Sequence, residues 1–266
     1  MCASSVRADL FSAWRLSTTK CRAIRWKQYV CRIDICLEQG TIDMDVSETG
    51  VVIPAYNAES TIRDVIEALC NIGFTKDKII VVDDGSGDQT ADALRSRGIA
   101  VLCHEQNRGK GAALKTGFQY AKERSLTGVV TIDADGQHQA GDIPLLLENR
   151  RNYDLVIGTR YDMRTMPFVR KVVNRITSLV ISILSHAYIP DVQCGLRYIR
   201  MTLLDRITLR TNRYQTESEL VYRAMRAHFR VGFVPVGTFY DSEKSYIHPL
   251  IDTVRFILMA VGFLWR

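Results

Sequence analysis

At 266 residues with 47% hydrophobic content, the chain can bury a full core as one large domain or two small ones. Its 35 Lys and Arg against 29 Asp and Glu give a net charge of +6, a modest excess that suits an anionic ligand, a membrane surface or an ordinary basic enzyme. No basic stripe is interleaved with aromatics, which argues against single-stranded nucleic acid as a partner, and the seven cysteines lack zinc-ligand spacing.

Residues 1–45 hold four of the seven cysteines and two of the three tryptophans and follow neither a helical nor a strand period. They read as a poorly ordered extension, with Met44 as an alternative start. Asp9 and Asp34 speak against a transit peptide, and the lack of a secretory h-region suits a reducing, cytosolic setting. Cys70, Cys103 and Cys194 each stand singly in apolar surroundings, as buried thiols do.

From residue 46 the pattern becomes regular. Gly50–Pro54 reads as a short strand. The helix after it places Ile62, Val65, Ile66 and Leu69 on one face. Strand Ile79–Val82 follows, then a helix opened by Asp88 or Thr90 that ends near Gly98. Strand Ile99–Cys103, helix Ala112–Glu123 and strand Val129–Ile132 complete the first half. Strand Leu155–Gly158 precedes a basic stretch containing Arg160, Arg164, Arg170, Lys171 and Arg175. An apolar segment, Ile176–Ile189, is stopped by Pro190. A helix at Glu217–His228 and a strand at Val231–Pro235 close the globular part, which spans 46–249, and residues 250–266 form an apolar tail helix. This alternation predicts an α/β fold with a mainly parallel sheet and helices on both faces. None of the apolar runs reaches the roughly 20 residues of a membrane span, so the Ile176 segment and the tail are either core helices or helices lying in a membrane interface.

Two strands end in acidic clusters. Asp83-Asp84-Gly85-Ser86 follows one and Asp133-Ala134-Asp135-Gly136 the other. Ligands of open α/β sheets bind beyond the carboxyl ends of the strands, and paired carboxylates there suit a hard divalent cation carrying a diphosphate. The second cluster fails as a calcium loop, because Gln137 and His138 stand where that loop needs an oxygen ligand and glycine. It also lacks the downstream lysine and acid of a phosphatase. Asn107-Arg108-Gly109-Lys110-Gly111 lacks Walker spacing and is either a plain turn or a basic loop at an anion-favouring helix start.

Several runs together resemble family 2 glycosyltransferases, and within them the dolichyl-phosphate mannose synthase and polyprenyl-phosphate glycosyltransferase branch. They are Val52-Ile53-Pro54-Ala55-Tyr56-Asn57, Val81–Thr90, Asn107–Ala113 and Asp133–His138. Gly158–Tyr161, Asp191–Arg197 and Glu243-Lys244-Ser245 extend the match over residues 50–255. The resemblance implies a GT-A, Rossmann-like fold that binds a nucleotide-sugar with Mg²⁺ or Mn²⁺ at an Asp-x-Asp motif. Carried over, Pro54, Tyr56 and Glu59 line the nucleoside pocket and Asp83 or Asp84 contacts base or ribose. Asp133, Asp135 and Gln137 hold the metal, Lys110 lies in the basic loop beside the donor, and Arg160, Arg170 and Lys244 face phosphates. Gly87, Cys194 and Leu196 depart from the family pattern on the acceptor side. The chain lacks the transmembrane pair of some relatives, which implies attachment at the cytosolic face of a membrane that is either peripheral or borrowed from a partner.

The implied reaction is an inverting, metal-dependent transfer of a hexose from a GDP-mannose or UDP-glucose type donor to a polyprenyl or dolichyl phosphate, with Asp135 and Arg160 as the residues most tied to turnover. Two alternatives stand beside it. One is transfer to a sugar hydroxyl, with Glu217 or Glu219 as general base; the other is nucleotide-sugar binding without catalysis.

Overall fold

A computed structural model describes residues 46–95, 97–160, 166–238 and 249–264. The expectation of a poorly ordered segment at 1–45 lies outside these residues, as do Arg164 and Lys244. In chain order the elements are β1 (Thr49–Ala55), α1 (Ile62–Asn71), β2 (Ile79–Asp83), α2 (Asp92–Arg95), β3 (Ala100–Cys103), α3 (Lys110–Glu123), β4 (Gly128–Thr131), α4 (Ile143–Glu148) and β5 (Leu155–Arg160). They continue with α5 (Phe168–Ser185), β6 (Arg197–Arg200), α6 (Met201–Arg206), α7 (Gln215–Arg226), β7 (Val231–Val236) and α8 (Pro249–Leu264).

The strands form one seven-stranded sheet in the order β3-β2-β1-β4-β6-β5-β7. Only β6 runs against its neighbours: it pairs antiparallel with both β4 and β5, whereas every other pairing is parallel. Val51 and Val52, which as strand neighbours point to opposite faces, are both fully buried, so both faces of the sheet are covered. This is why the strands appear in sequence as unbroken apolar runs. The chain leaves β1 towards β2 and β3, then returns to lay β4 on the other side. That reversal opens a crevice at the carboxyl ends of β1 and β4.

α4 and α6 have no counterpart in the sequence reading, α7 lies two residues earlier than expected, and three more helices differ. α2 is a single turn, because Asp88 and Thr90 are spent on the loop: Asp88 accepts the N–H groups of Thr90 (3.0 Å) and Glu59 (3.1 Å). α3 begins two residues earlier than expected, at Lys110. α5 takes in most of the basic stretch, starting directly after Pro167, and it stops at Ser185 rather than at Pro190 because His186 turns left-handed (φ 54°). Of the cysteines, Cys194 is buried as expected, but Cys70 is half-buried and Cys103 exposed at the end of an edge strand. Among the described residues, no helix is long and apolar enough to cross a membrane.

α5, α7 and α8 pack on one another, and Tyr222 of α7 stacks on Phe263 of α8 with ring centroids 3.9 Å apart. The α3–α7 approach is unusually close. A Cβ at Gly111 would lie 1.8 Å from the Thr216 Oγ1, so only glycine lets the two helix starts meet. That approach brings Lys110 and Glu217 within reach of each other.

Candidate active site

The β1–α1 and β2–α2 loops are laced together at one side of the crevice. Asn57 donates its N–H to the Ser86 Oγ (2.9 Å) and accepts the Gly87 N–H (2.8 Å), Ala58 donates to Thr90, and Glu59 accepts the Gln89 N–H (3.2 Å). Asp83 and Asp84 are both buried, and their carboxylates serve the loops. Asp83 accepts the Ser86 N–H at 3.0 Å. Asp84 meets the His104 Nδ1 at 2.6 Å and accepts the N–H groups of Arg108 (3.0 Å) and Gly109 (2.7 Å). Asp84 thereby fixes the basic loop, and with it the start of α3. Pro54 is the penultimate residue of β1, and Tyr56 and Glu59 follow it on the same loop.

Asp133 lies just past β4, across the crevice. Its Oδ1 is 2.6 Å from the Lys110 Nζ, and the same ammonium is 3.1 Å from the Glu217 Oε1. Burial pushes the Asp133 carboxyl up, but the charge and hydrogen bond of Lys110 and the other basic groups around it together outweigh burial and hold the carboxyl below the ordinary carboxylate range. For Lys110, burial acts downwards and the two carboxylates outweigh it, so its charge is held more firmly than that of a free lysine. Backbone closes the other side of Asp133. A Cβ at Gly195 would sit 2.3 Å from the Asp133 Oδ2, and the Gly195 carbonyl accepts the Thr131 hydroxyl at 2.8 Å. Asp135 accepts the Gln137 N–H (3.0 Å) in the turn made by Gly136 at φ 71°.

Arg197, at the start of β6, is only 1% exposed. It donates to three backbone carbonyls, those of Cys194 (2.7 Å), Glu217 (2.9 Å) and Val192 (2.8 Å). Arg160, at the end of β5, grips Asp191 with two hydrogen bonds of 2.7 and 2.8 Å. Burial raises the Asp191 carboxyl, and the hydrogen bond and charge of Arg160 more than reverse that. Asp191 also accepts the Gln193 N–H, so Arg160 and Arg197 both hold the 191–195 loop against Asp133. Arg170 stands in the first turn of α5.

The two glutamates weighed as bases part company. Glu219 is enclosed, accepting from the Arg210 and Thr211 N–H groups, the Thr211 hydroxyl and Arg223. Glu217 faces Lys110, so its place is in the charge network beside Asp133. Gly195, Asp191 and Arg197 were visible in the sequence only as parts of a matching run. Their ties to Asp133, Arg160 and Glu217 join segments that no local period connects.

His138, next to this turn, is buried, with its Nε2 3.9 Å from the Cys194 Sγ. Burial lowers its imidazolium to about 4, and burial pushes the Cys194 thiol up to about 12, so both stay neutral near pH 7. The unfolded chain, with an ordinary imidazole near 6.5, binds the proton more readily. Stability is therefore expected to be flat above pH 6.5, to fall as pH drops towards 4, and to lose about 3 kcal/mol to this group. Urea unfolding at pH 7 and pH 5 checks this: His138→Gln should flatten that limb, and an unchanged slope would refute it.

Comparison with known proteins follows the same residues. The profile of Glycosyl transferase family 2 matches residues 50–215. The UDP-N-acetylglucosamine–dolichyl-phosphate N-acetylglucosaminyltransferase of Methanococcus voltae is 34% identical over 71% of this chain and 85% of its own length. The undecaprenyl-phosphate mannosyltransferase of Micrococcus luteus is 31% identical over 72% of this chain and 83% of its own. Among solved structures, glucosyl-3-phosphoglycerate synthase from Mycobacterium tuberculosis, in complex with Mn²⁺ and UDP-glucose, superposes with a TM-score of 0.64. It is 22% identical and the match covers 80% of this chain and 79% of that one, a likeness of fold.

Proposed function

The chain belongs to glycosyl transferase family 2, and we propose on that premise that it moves a hexose from a GDP-mannose or UDP-glucose type donor to a polyprenyl or dolichyl phosphate, with inversion. The observation that carries this reading is Asp133, set at the sheet's switch point with Lys110 against it and Gly195 behind it. The acceptor class rests on the relatives that act on dolichyl and undecaprenyl phosphate.

The donor set suits a divalent cation. Among the described residues no group of three or more His, Cys, Asp or Glu side chains converges. Two carboxylates and an amide are enough for an ion that completes its shell with phosphate oxygens and water. Asp133, Asp135 and Gln137 would hold Mg²⁺ or Mn²⁺, which when bound offsets charge on the departing diphosphate. Lys110 adds a fixed positive charge beside the same oxygens. Pro54, Tyr56 and Glu59, with Asp83, line the nucleoside side of the crevice. Arg160, held by Asp191, and Arg170 would bring positive charge to the phosphates of the acceptor or the donor, as would Lys244, which lies outside the described residues. The acceptor oxygen attacks the anomeric carbon as the bond to the diphosphate breaks. A phosphate monoester with a second pKa of about 6 is already ionised at neutral pH, so no side chain need take a proton.

Incubation with a polyprenyl phosphate, Mg²⁺ or Mn²⁺ and labelled GDP-mannose or UDP-glucose in parallel tests this. Metal-dependent label in the organic phase is expected, with one donor preferred. Donor binding without lipid label would overturn it.

A further inference from the structure

Lys110 stands where helix electrostatics disfavour it. It opens α3, at the positive end of the helix dipole, and the first turn of α3 contains no acidic residue. Two carboxylates from other elements hold it there: Asp133, past β4, at 2.6 Å, and Glu217, in the first turn of α7, at 3.1 Å. Arg197 lies 3.8 Å from the same Glu217 oxygen. The backbone at the root of Lys110 is fixed. Asp84 accepts the N–H groups of Arg108 and Gly109, the Asn212 carbonyl accepts that of Ala112 at 2.9 Å, and the close approach of Gly111 to Thr216 pins α3 to α7. Only the long side chain is left to move, and it already touches both carboxylates. Asp133, Lys110, Glu217 and Arg197 together carry two negative and two positive charges, so the network balances among its own members.

We propose that Lys110 competes with the divalent cation for Asp133, and that Glu217 is the positioning residue that retains Lys110 when the cation takes that carboxylate. This rests on the metal clamp proposed above and adds an order of binding to it. A dication and an ammonium held on one carboxylate oxygen repel each other strongly, so the Lys110 Nζ has to give up the Asp133 Oδ1. Glu217 lets it do so without becoming an unpaired buried charge, because the second contact is already made. A cation arriving alone would add two positive charges to a balanced network, offset only by Asp135. A nucleoside diphosphate brings the missing negative charge, and the displaced ammonium stays beside it on Glu217. Cation and diphosphate therefore bind as a couple, each tightening the other by the same factor.

Titration of the full chain with Mn²⁺, followed by electron paramagnetic resonance of the free ion, alone and with UDP or GDP, tests it. The wild type should bind Mn²⁺ about tenfold more tightly, or better, once one of the nucleotides is present. Lys110→Met should bind Mn²⁺ alone about tenfold more tightly than the wild type and lose most of the gain from nucleotide. Glu217→Gln, which leaves Lys110 with Asp133 as its partner carboxylate, should bind Mn²⁺ alone more weakly than the wild type, and adding Lys110→Met should reverse that. A purely structural role would weaken binding in every variant, so the opposite signs are the decisive readout. Circular dichroism must report native helix content; should Lys110→Met fail that check, the Glu217→Gln result and the nucleotide effect in the wild type decide. Mn²⁺ binding that Asp135→Ala abolishes but that Lys110→Met and Glu217→Gln leave unchanged or weaken alike overturns the proposal and keeps the clamp. So does equally tight binding with and without both nucleotides. No Mn²⁺ binding by any form, with or without nucleotide, overturns both.

Discussion

Asp135→Ala is expected to lower turnover by about 10²–10³-fold or more while the protein stays folded. Asp135 sits half-buried in the turn after β4, where its carboxylate accepts the Gln137 N–H; losing such a bond costs about 1 kcal/mol. The catalytic loss has a different origin. Charge that develops on a leaving diphosphate must be met by groups already in place, and a clamp with one carboxylate removed no longer fixes a cation against it. Steady-state rates across a Mg²⁺ or Mn²⁺ titration, paired with a thermal midpoint, separate the two effects. Near-normal turnover at saturating metal would remove Asp135 from the clamp. Arg160→Ala should instead act mainly on acceptor use, raising the KM for the lipid phosphate more than that for the donor.

Arg197→Met is expected to be the most destabilising single change near the site, by about 3–5 kcal/mol. The guanidinium fills a buried position where its fork reaches three carbonyls from two separate segments and lies 3.8 Å from the Glu217 carboxylate. Removing it takes a donor from each of those buried carbonyls and leaves Glu217 with Lys110 as its cation. Arg197→Lys should restore little, since one ammonium cannot reproduce the planar fork. Equilibrium urea unfolding measures the loss, and a change below about 1 kcal/mol would show that water replaces the side chain.

These two residues also mark what was legible in the sequence. β1, β2, β4, β5 and β7 were readable because strands covered on both faces become continuous apolar runs, and Asp133 and Asp135 because carboxylates at such strand ends are out of place without a ligand. β6 was not readable. Its inward end is Arg197, and arginine is almost never fully buried unless paired, so the segment looks like surface. Lys110 was recognised as part of a basic loop, yet its tie to Glu217, 107 residues away, exists only in the fold. α5 misled the reading in another way. The basic residues between Arg170 and Arg175 seemed to precede the helix, whereas they belong to it, because its apolar stripe faces outward.

The placement of β6 also orders the assembly of the molecule in time. When β4 has been made, four parallel strands can already close on one another through local crossovers. β5 comes next from the ribosome but finds no place beside them, for its only route into the sheet is the antiparallel strand made some forty residues later. Pairings of such high sequence separation form slowly. The half of the crevice carried by β1, β2 and β4 therefore matures first. The half that carries Arg160 and α5 joins once β6 has threaded between, and the outward apolar helix is synthesised before the strand that anchors its side of the sheet.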